Sequence, residues 1–419
     1  MYTASMSQIV RPNYGQGCFS DLPGATQAFL TGQPLPPAFA ALDPRLVQQY
    51  DAVILVLADG FGWRFFERFA NRDPFLRRFG EQGAVLRWTA QFPSTTTAHV
   101  SCINTGLTPG QSGLFEWQFY EPQLDAVIVP LMFSFAGDKA RETLKSTGIK
   151  PADLYPAQTF YQTLGQQGIA SYVYQHRDYA HSSYTNWLGR GAQIVPYLTW
   201  PEALLNVRQQ VTQASKPAFY YLYFDKIDSI SHYYGPDSAQ MEAEIETFLF
   251  CMERAFMQPM LRQAKNVLLM LTADHGQANV DPATTLYLNR DPRFKRLERY
   301  LRTDGNGELL APGGSARDIF LYIKDADLDE AKQFLGERLE DKANVYKTQD
   351  LIDQGYFGPR PVAQKFLDRV GNLLILPNPG ETVWWYEKGK FEQNFYGHHG
   401  GLTADEMEIP LCLYAFGAG

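Results

Sequence analysis

The sequence predicts an α/β protein whose central sheet is doubly wound and mostly parallel, with helices on both faces. Three apolar runs, at residues 52–58, 219–224 and 267–272, support this prediction, because each has the length and composition of a strand that is buried on both faces. Between the second and third runs, apolar residues recur at helical spacing from Met241 to Phe256. Strands that alternate with helices in this way typically form parallel sheets.

Side chains that can bind metals follow all three runs. In chain order they are Asp59, Asp228, His232, Asp274 and His275. Because ligands bind at the carboxyl ends of the strands in open α/β sheets, we expect these side chains to lie close together. Carboxylate oxygens combined with imidazole nitrogens suit zinc or a similar divalent ion, whereas oxygen ligands alone would suit magnesium or calcium. Taken singly, each motif also has a structural interpretation, such as a turn after a strand or a surface pair on a helix.

The segment from Phe92 to Gly106 is predicted to be a loop that leads into a short helix, with Gly106 as the residue that ends it. The start of such a helix has free backbone N–H groups and can bind a phosphate. A threonine of this segment would be a suitable nucleophile if a divalent ion lowered the pKa of its hydroxyl group. The alternative is that the Ser and Thr side chains only cap the helix.

Together and in this order, the segments resemble the alkaline phosphatase superfamily, and within it the nucleotide pyrophosphatase/phosphodiesterase branch. The matching landmarks are Asp59-Gly60, Phe92 to Thr96, Asp228 to Pro236, Asp274-His275-Gly276 and His399-Gly400. They extend over roughly residues 50–415. The resemblance implies an alkaline-phosphatase-like fold and a hydrolase that holds two divalent ions, with zinc as the expected metal and manganese as the alternative.

The resemblance also implies roles for individual residues. The implied ligand sets are Asp228, His232 and His399 for one ion, and Asp59, Asp274, His275 and Thr96 for the other. His399 is preferred to His398 because the last ligand of the family directly precedes a glycine. Thr96 is the implied nucleophile, which attacks phosphorus in line and forms a phospho-threonine intermediate that water then hydrolyses.

Substrate contacts are predicted near these motifs, where the sequence also departs from the branch. Glu116 and Trp117 stand where the branch often has an asparagine that contacts a phosphoryl oxygen, and Thr97 replaces a residue that is often aromatic. We predict that Glu116, Trp117 and Phe61 contact the substrate. Arg177, in a polar loop, is a further candidate. Because a carboxylate repels a dianion, Glu116 is expected to favour diester over monoester substrates.

The sequence is predicted to form a catalytic domain and an inserted lobe. Residues 1–276 and 396–419 are predicted to form the catalytic domain, and residues 277–395 an inserted, smaller α/β lobe that acts as a cap. Residues 1–50 are predicted to be an irregular lead-in because they are rich in proline and glycine. With 419 residues and 45% hydrophobic composition, the chain can bury one large core and an additional lobe.

The charge and composition of the chain limit the kinds of partner that it is expected to bind. A net charge of −8 without a run of Lys or Arg argues against a nucleic acid polymer, so a small phosphorylated substrate is expected. The start of the sequence does not resemble a leader, about 18 consecutive apolar residues occur nowhere, and the four cysteines are widely spaced. These features predict a cytoplasmic protein that does not enter a membrane. They leave the oligomeric state open.

The function predicted from the sequence is the hydrolysis of phosphodiester or pyrophosphate bonds in small, nucleotide-type substrates. Phosphomonoesterase, phosphonate hydrolase and mutase activities of the same superfamily are the alternatives. A catalytically silent metal-binding protein is a further alternative, although the complete set of ligand and nucleophile positions argues against it.

Overall fold

The computed structural model describes residues 9–214 and 217–417, and its main sheet confirms the predicted α/β fold. Within these ranges seven strands form the central sheet, and their spatial order is Ala84–Thr89, Glu408–Phe416, Val267–Thr272, Ala52–Ala58, Ala218–Phe224, Ala170–His176 and Gln193–Tyr197. Neighbouring strands are parallel except that Glu408–Phe416 is antiparallel to both of its neighbours. Residues 1–8, on which the prediction about a leader depends, lie outside the described residues.

The three predicted strands lie side by side at the centre of this sheet. Ala52–Ala58 pairs with Ala218–Phe224 on one side and with Val267–Thr272 on the other. Every residue of Ala52–Ala58 and Val267–Thr272 is buried. Because the three strands are parallel, their carboxyl ends meet at one edge, and the residues that follow them are brought together there.

The helices of the described residues vary widely in length. In chain order the α-helices are Leu22–Thr31, Trp63–Ala70, Pro74–Gln82, Thr96–Thr105, Pro109–Ser112, Pro151–Leu154, Phe160–Gln166, Ser183–Leu188, Trp200–Gln213, Lys226–Tyr234, Ala239–Cys251, Gln258–Gln263, Leu328–Leu339, Thr348–Asp353, Gln364–Arg369 and Ala404–Met407. The helix predicted between Met241 and Phe256 is Ala239–Cys251, continued by the π-helical segment Met252–Met257. Among the helices that the structure describes, none combines the length and apolar character needed to cross a membrane.

The prediction of an irregular segment over residues 1–50 is wrong for much of the part that the structure describes. Leu22–Thr31 is an α-helix that buries Leu22 and Phe29 in the main core. Pro23 lies in its first turn, where the missing N–H costs no helical hydrogen bond, and Gly32 ends it with a φ of 72°. The proline and glycine that suggested a loop therefore mark the two ends of a helix.

A second sheet is formed by residues that lie, in the sequence, between the strand Val267–Thr272 and the C-terminal strand Glu408–Phe416. Over the described ranges its antiparallel strands are Gly313–Ser315, Asp318–Leu321, Leu373–Pro377 and Ala343–Lys347, in spatial order. The helix Leu328–Leu339 buries Ala331 and Leu335 in a core of its own with this sheet. The shorter strands elsewhere are Phe119–Glu121, Ala126–Val129, Ser134–Phe135, Ala278–Asn279, Leu286–Tyr287, Val383–Trp384 and Gly397–His398. The boundaries of the lobe at residues 277 and 395 stay a prediction.

A buried ion pair connects this second sheet with the short helix Ala404–Met407, which follows His399 in the chain. Arg317, which precedes the strand Asp318–Leu321, donates from Nε and Nη2 to the two carboxylate oxygens of Glu406, each at 2.9 Å. Glu406 also accepts the backbone N–H of Gly401 at 3.0 Å. The second sheet therefore helps to hold the segment that carries the last predicted ligand.

Candidate active site

Two groups of metal-binding side chains meet at the carboxyl edge of the central sheet. One group is Asp59, Asp274 and His275, and the other is Asp228, His232 and His399. In each group, one ligand atom from every residue lies within 4.8 Å of the others. The structure therefore brings together the carboxylate and imidazole ligand positions in the same two groups that the sequence resemblance implies.

Thr96 joins the group of Asp59, Asp274 and His275. Its Oγ1 lies 3.2 Å from Nε2 of His275 and 3.4 Å from Oδ2 of Asp59. Nε2 of His275 also lies 3.3 Å from Oδ1 of Asp59 and 3.4 Å from Oδ2 of Asp274. Thr96 is the first residue of the helix Thr96–Thr105, so its hydroxyl lies beside N–H groups that have no acceptor within the helix.

In the other group, Asp228 lies between two histidines. Its Oδ2 is 3.3 Å from Nε2 of His232, and its Oδ1 is 3.5 Å from Nε2 of His399. Asp228 and His232 share one face of the helix Lys226–Tyr234 because they are one helical turn apart. His399 comes from the loop near the C-terminus, so this group depends on a tertiary contact.

Hydrogen bonds to backbone carbonyl groups orient the three ligand histidines. The Nδ1 atoms and their carbonyl partners, at 2.8, 3.0 and 2.8 Å, are His232 with Gly397, His275 with Gly276, and His399 with Ser94. An Nδ1–H that donates to a carbonyl leaves Nε2 with a free lone pair, which is the form of imidazole that binds a metal. The three Nε2 atoms lie next to the carboxylates of the two groups.

Two other histidines of the predicted segments have structural roles. Nδ1 of His99 lies 2.7 Å from the carbonyl of Thr95, and Nε2 accepts the N–H of Gln91 at 2.8 Å. Nδ1 of His398 accepts the N–H of His399 at 2.9 Å. Burial lowers the pKa of His99 and of His398 to about 3, so both rings are neutral. The structure thus places His399, and not His398, in the ligand group.

The donor atoms of both groups fit divalent cations. Oδ2 of Asp274 is buried and has no hydrogen-bond partner among the described residues, which is a costly arrangement for a carboxylate without a cation. Burial, together with the charges of Asp274 and Asp228, raises the pKa of Asp59 well above its usual range. Close carboxylates of this kind are stable as anions next to a positive charge. Each group can therefore hold a divalent ion through carboxylate oxygens and imidazole nitrogens.

Comparison with known proteins agrees with this geometry. A family model described as type I phosphodiesterase / nucleotide pyrophosphatase matches residues 53–402. The chain belongs to this family. The matched range contains both ligand groups and Thr96, and the predicted resemblance is confirmed.

The named relatives in this family are distant in sequence. Ectonucleotide pyrophosphatase/phosphodiesterase family member 3 of Rattus norvegicus is 24% identical over 269 residues, which are 62% of this chain and 28% of that protein. Family member 7 of the same organism is 21% identical over 401 residues, which are 91% of this chain and 81% of that protein. The chain thus spans less than a third of the length of member 3 and most of member 7.

Solved structures of distant sequence share the fold. Murine ectonucleotide pyrophosphatase/phosphodiesterase 5, in complex with AMP, has a TM-score of 0.62 at 18% identity, and the match covers 87% of each chain. Phosphonoacetate hydrolase from Sinorhizobium meliloti 1021 has a TM-score of 0.59 at 18% identity, covering 86% of this chain and 89% of that chain. This likeness confirms the predicted alkaline-phosphatase-like architecture.

Two cavities of this type I phosphodiesterase family member border Thr96. The first, cavity A, has a volume of about 270 Å³, and the second, cavity B, of about 410 Å³. Cavity A is lined by Asp59, Arg141, Tyr179 and Tyr223 among others, and cavity B by His232, His399, Trp384 and Phe395 among others. Thr96, Trp117 and Asp228 line both. Trp117 is 44% exposed, so it stands where a substrate in either cavity can contact it.

Phe61 and Arg177 do not line cavity A or cavity B, and their contact with a substrate stays a prediction. Phe61 is fully buried and packs against Phe65 and Phe248, because an aromatic side chain at this turn contributes to the main core. The side chain of Arg177 is 63% exposed, and the carboxylate of Asp178 lies 4.0 Å away.

Glu116 borders cavity B, but its carboxyl group is fully buried and interacts with the buried carboxyl group of Asp318. Burial raises the pKa of Glu116 to about 8, and burial together with the charge of Glu116 raises the pKa of Asp318 well above its usual range. At neutral pH the carboxyl group of Glu116 is therefore largely protonated. The expected repulsion between a charged Glu116 and a dianionic substrate does not apply to this arrangement.

Replacing Glu116 by glutamine should stabilise the protein at alkaline pH. An unfolded glutamate has a pKa of about 4, so the stabilising contribution of the proton is complete below that pH. It is lost as the pH rises through about 8. Relative to the parent, Glu116→Gln should gain on the order of 4 kcal/mol of unfolding free energy between about pH 5 and about pH 9, measured by urea unfolding.

The exposed Glu246 provides a matched control, since Glu246→Gln removes a carboxyl group that lies on the surface of the helix Ala239–Cys251. Equal pH dependence of the two variants would contradict the assignment of the raised pKa to Glu116.

Two polar side chains next to the ligands were missed by the sequence analysis. Oη of Tyr223 donates to Oδ2 of Asp59, and Nε2 of Gln277 donates to Oδ1 of Asp228. Tyr223 lies near the end of a ligand strand, which is a usable signal, but aromatic residues fill that strand and do not show which of them faces the site. Gln277 follows Gly276 directly, yet its partner lies on another element.

Proposed function

We propose that the chain is a two-metal phosphohydrolase that cleaves phosphodiester or pyrophosphate bonds of small, nucleotide-type substrates through a phospho-threonine intermediate on Thr96. The position of Thr96 carries the proposal. Its Oγ1 lies 3.2 Å from His275 and 3.4 Å from Asp59, at the start of a helix, while the second ligand group borders the same two cavities. Membership of the type I phosphodiesterase / nucleotide pyrophosphatase family supports the class of reaction.

The residues around Thr96 provide what an in-line attack requires. The hydroxyl of Thr96 donates to Asp59, which is itself oriented by Tyr223. The first N–H groups of the helix Thr96–Thr105 are free to bind phosphoryl oxygens. Divalent ions held by the two groups would lower the pKa of the attacking hydroxyl and offset the negative charge of the phosphoryl group.

The presence of two cavities beside Thr96 supports a diester substrate over a monoester substrate. A phosphodiester carries two substituents, and cavities A and B, which meet at Thr96 and Asp228, offer a volume for each. Cavity B is lined by Trp117, Trp384 and Phe395, whose rings suit a planar group such as a base. The structural relative that was solved with AMP supports a nucleotide-type substrate.

The metal and the location complete the proposal. We propose zinc, with manganese as the alternative, because each group combines carboxylate oxygens with imidazole nitrogens. The unpaired state of Cys18, Cys102, Cys251 and Cys412 supports a reducing, cytoplasmic location. The negative net charge supports a small substrate over a nucleic acid polymer.

A panel of p-nitrophenyl substrates tests the proposed function. We expect the zinc-loaded protein to cleave bis-p-nitrophenyl phosphate and the p-nitrophenyl ester of thymidine 5′-monophosphate with a kcat/KM about tenfold or more above that for p-nitrophenyl phosphate. The reason is that a monoester fills only one of the two cavities. A higher kcat/KM for p-nitrophenyl phosphate would contradict the proposal and favour a phosphomonoesterase, and cleavage of phosphonoacetate alone would favour a phosphonate hydrolase.

A further inference from the structure

Cavity A contains a cation that the proposed chemistry does not use. Arg141 lines this cavity, and over the described residues it forms no salt bridge and donates one long hydrogen bond, at 3.4 Å, to the carbonyl of Leu131. Most donors of its guanidinium group are therefore available to a ligand. Cavity B differs, because Lys390, its cationic side chain, is paired with Glu387 at 2.6 Å.

Hydrogen bonds hold the residues on both sides of Arg141, although the Arg141 side chain itself is exposed. The carbonyl oxygen of Ala140 accepts a hydrogen bond from Oγ of Ser134 at 2.9 Å. The carboxylate of Glu142 accepts the N–H of Ser183 at 2.8 Å, which ties this loop to the helix Ser183–Leu188. The loop that carries Arg141 is therefore held in place beside cavity A.

Two tyrosine rings connect Arg141 with the first ligand group. The guanidinium carbon of Arg141 lies 5.9 Å from the centre of the Tyr179 ring, and the Tyr179 and Tyr223 ring centres are 6.1 Å apart. Tyr223 in turn donates to Asp59. The hydroxyl of Tyr179 is buried and lacks a hydrogen-bond partner in the part of the chain that the structure describes. A ligand group at this end of cavity A would therefore meet the guanidinium of Arg141 and the ring of Tyr179.

We propose that Arg141 binds an anionic group at the far end of the substituent that occupies cavity A. This role of Arg141 rests on the proposed function, and it restricts the proposed substrates to diesters that carry a second negative group. The second group is distinct from the scissile phosphoryl group, because Tyr179 and Tyr223 stand between Arg141 and the ligands. A guanidinium can form paired, charge-assisted hydrogen bonds with a phosphate or a carboxylate.

A matched pair of substrates tests this inference. Because the base is assigned to cavity B, the anion is placed on the other substituent of the diester. The pair consists of the 4-(carboxymethyl)phenyl and 4-(carbamoylmethyl)phenyl esters of thymidine 5′-monophosphate, and a 4-(phosphonomethyl)phenyl ester distinguishes a phosphonate from a carboxylate. We expect the parent to prefer an anionic member of the set through a lower KM. Arg141→Gln should reduce that preference, expressed as a ratio of kcat/KM values, by about tenfold, and Arg141→Lys should retain part of it. Added salt should weaken the preference because Arg141 is exposed.

Arg77→Gln is the control, since it removes an equally charged and exposed side chain that does not line cavity A. We expect this variant to leave the ratio unchanged. An unchanged ratio in Arg141→Gln, or the same loss in both variants, would overturn the inference.

Failure of the proposed function would look different, because the parent would then cleave none of these esters. In that case calorimetric titration with the 4-(carboxymethyl)phenyl ester of thymidine 5′-monophosphate still tests the site. Binding about tenfold weaker in Arg141→Gln than in the parent would support the inference, and equal binding would overturn it.

Discussion

Replacing Thr96 by alanine should lower kcat by about three orders of magnitude or more, since the variant has no hydroxyl to attack phosphorus. Thr96→Ser should retain much of the activity, because a hydroxyl stays beside Asp59 and His275. The metal content of Thr96→Ala should stay close to that of the parent, since Asp59, Asp274 and His275 remain in place. Steady-state kinetics with the thymidine ester and elemental analysis of the same preparations measure both quantities.

Thr97→Ala is the matched control for this experiment. The hydroxyl of Thr97 is buried and has no hydrogen-bond partner among the described residues, so its removal leaves no donor or acceptor unpaired. We expect this variant to retain kcat within about tenfold of the parent. Equal losses in Thr96→Ala and Thr97→Ala would contradict the assignment of Thr96 as the nucleophile.

Replacing Asp274 by asparagine should remove one ion and lower kcat/KM about a hundredfold or more. Asp274 is fully buried, and its Oδ1 accepts N–H groups of Gly60 and His275, so an asparagine of similar shape can keep these contacts. Its amide is uncharged and binds a metal less strongly than a carboxylate does. Elemental analysis should show a decrease from about two ions per chain to about one.

The exposed Asp51, which precedes the strand Ala52–Ala58 at the end opposite to Asp59, is a suitable control for the loss of a carboxylate. Asp51→Asn should retain both ions, and chelation of the parent should abolish activity that zinc, manganese or cobalt partly restores. Full activity of Asp274→Asn, or of protein that contains no metal, would contradict the two-metal site.

The ligand positions could be predicted from the sequence because most of them follow recognisable elements. Asp59 and Asp274 come directly after apolar strands, and parallel strands bring their ends to one edge of a sheet. His399 follows no such strand, and its prediction depended on the glycine after it. In the structure Nε2 of His399 lies 3.5 Å from Oδ1 of Asp228, although the two residues are far apart in the sequence.

Substrate contacts were harder to predict, because they depend on tertiary packing. Phe61 and Trp117 are both aromatic residues near a motif, but one is fully buried and the other is 44% exposed. Arg141 and Arg177 are both exposed loop residues, and only the folded chain shows that Arg141 lines cavity A. Local sequence carries no information on which of two similar residues faces a cavity formed by distant segments.

The pairing of Glu116 was hidden for the same reason. Its partner Asp318 belongs to the second sheet, so neither residue indicates a buried carboxyl pair when the sequence alone is considered. Its place where the branch often has an asparagine suggested a charged substrate contact, whereas burial favours the protonated form.

Trapping the intermediate tests the central claim most directly, namely that Thr96 carries a covalently bound phosphoryl group during turnover. The zinc-loaded protein would be mixed with the p-nitrophenyl ester of thymidine 5′-monophosphate, quenched in acid during turnover and digested for mass spectrometry. We expect thymidylate attached to the peptide that contains Thr96, at that residue, and no adduct in Thr96→Ala. An adduct on Ser94 or Thr97, or turnover without any adduct, would contradict the account.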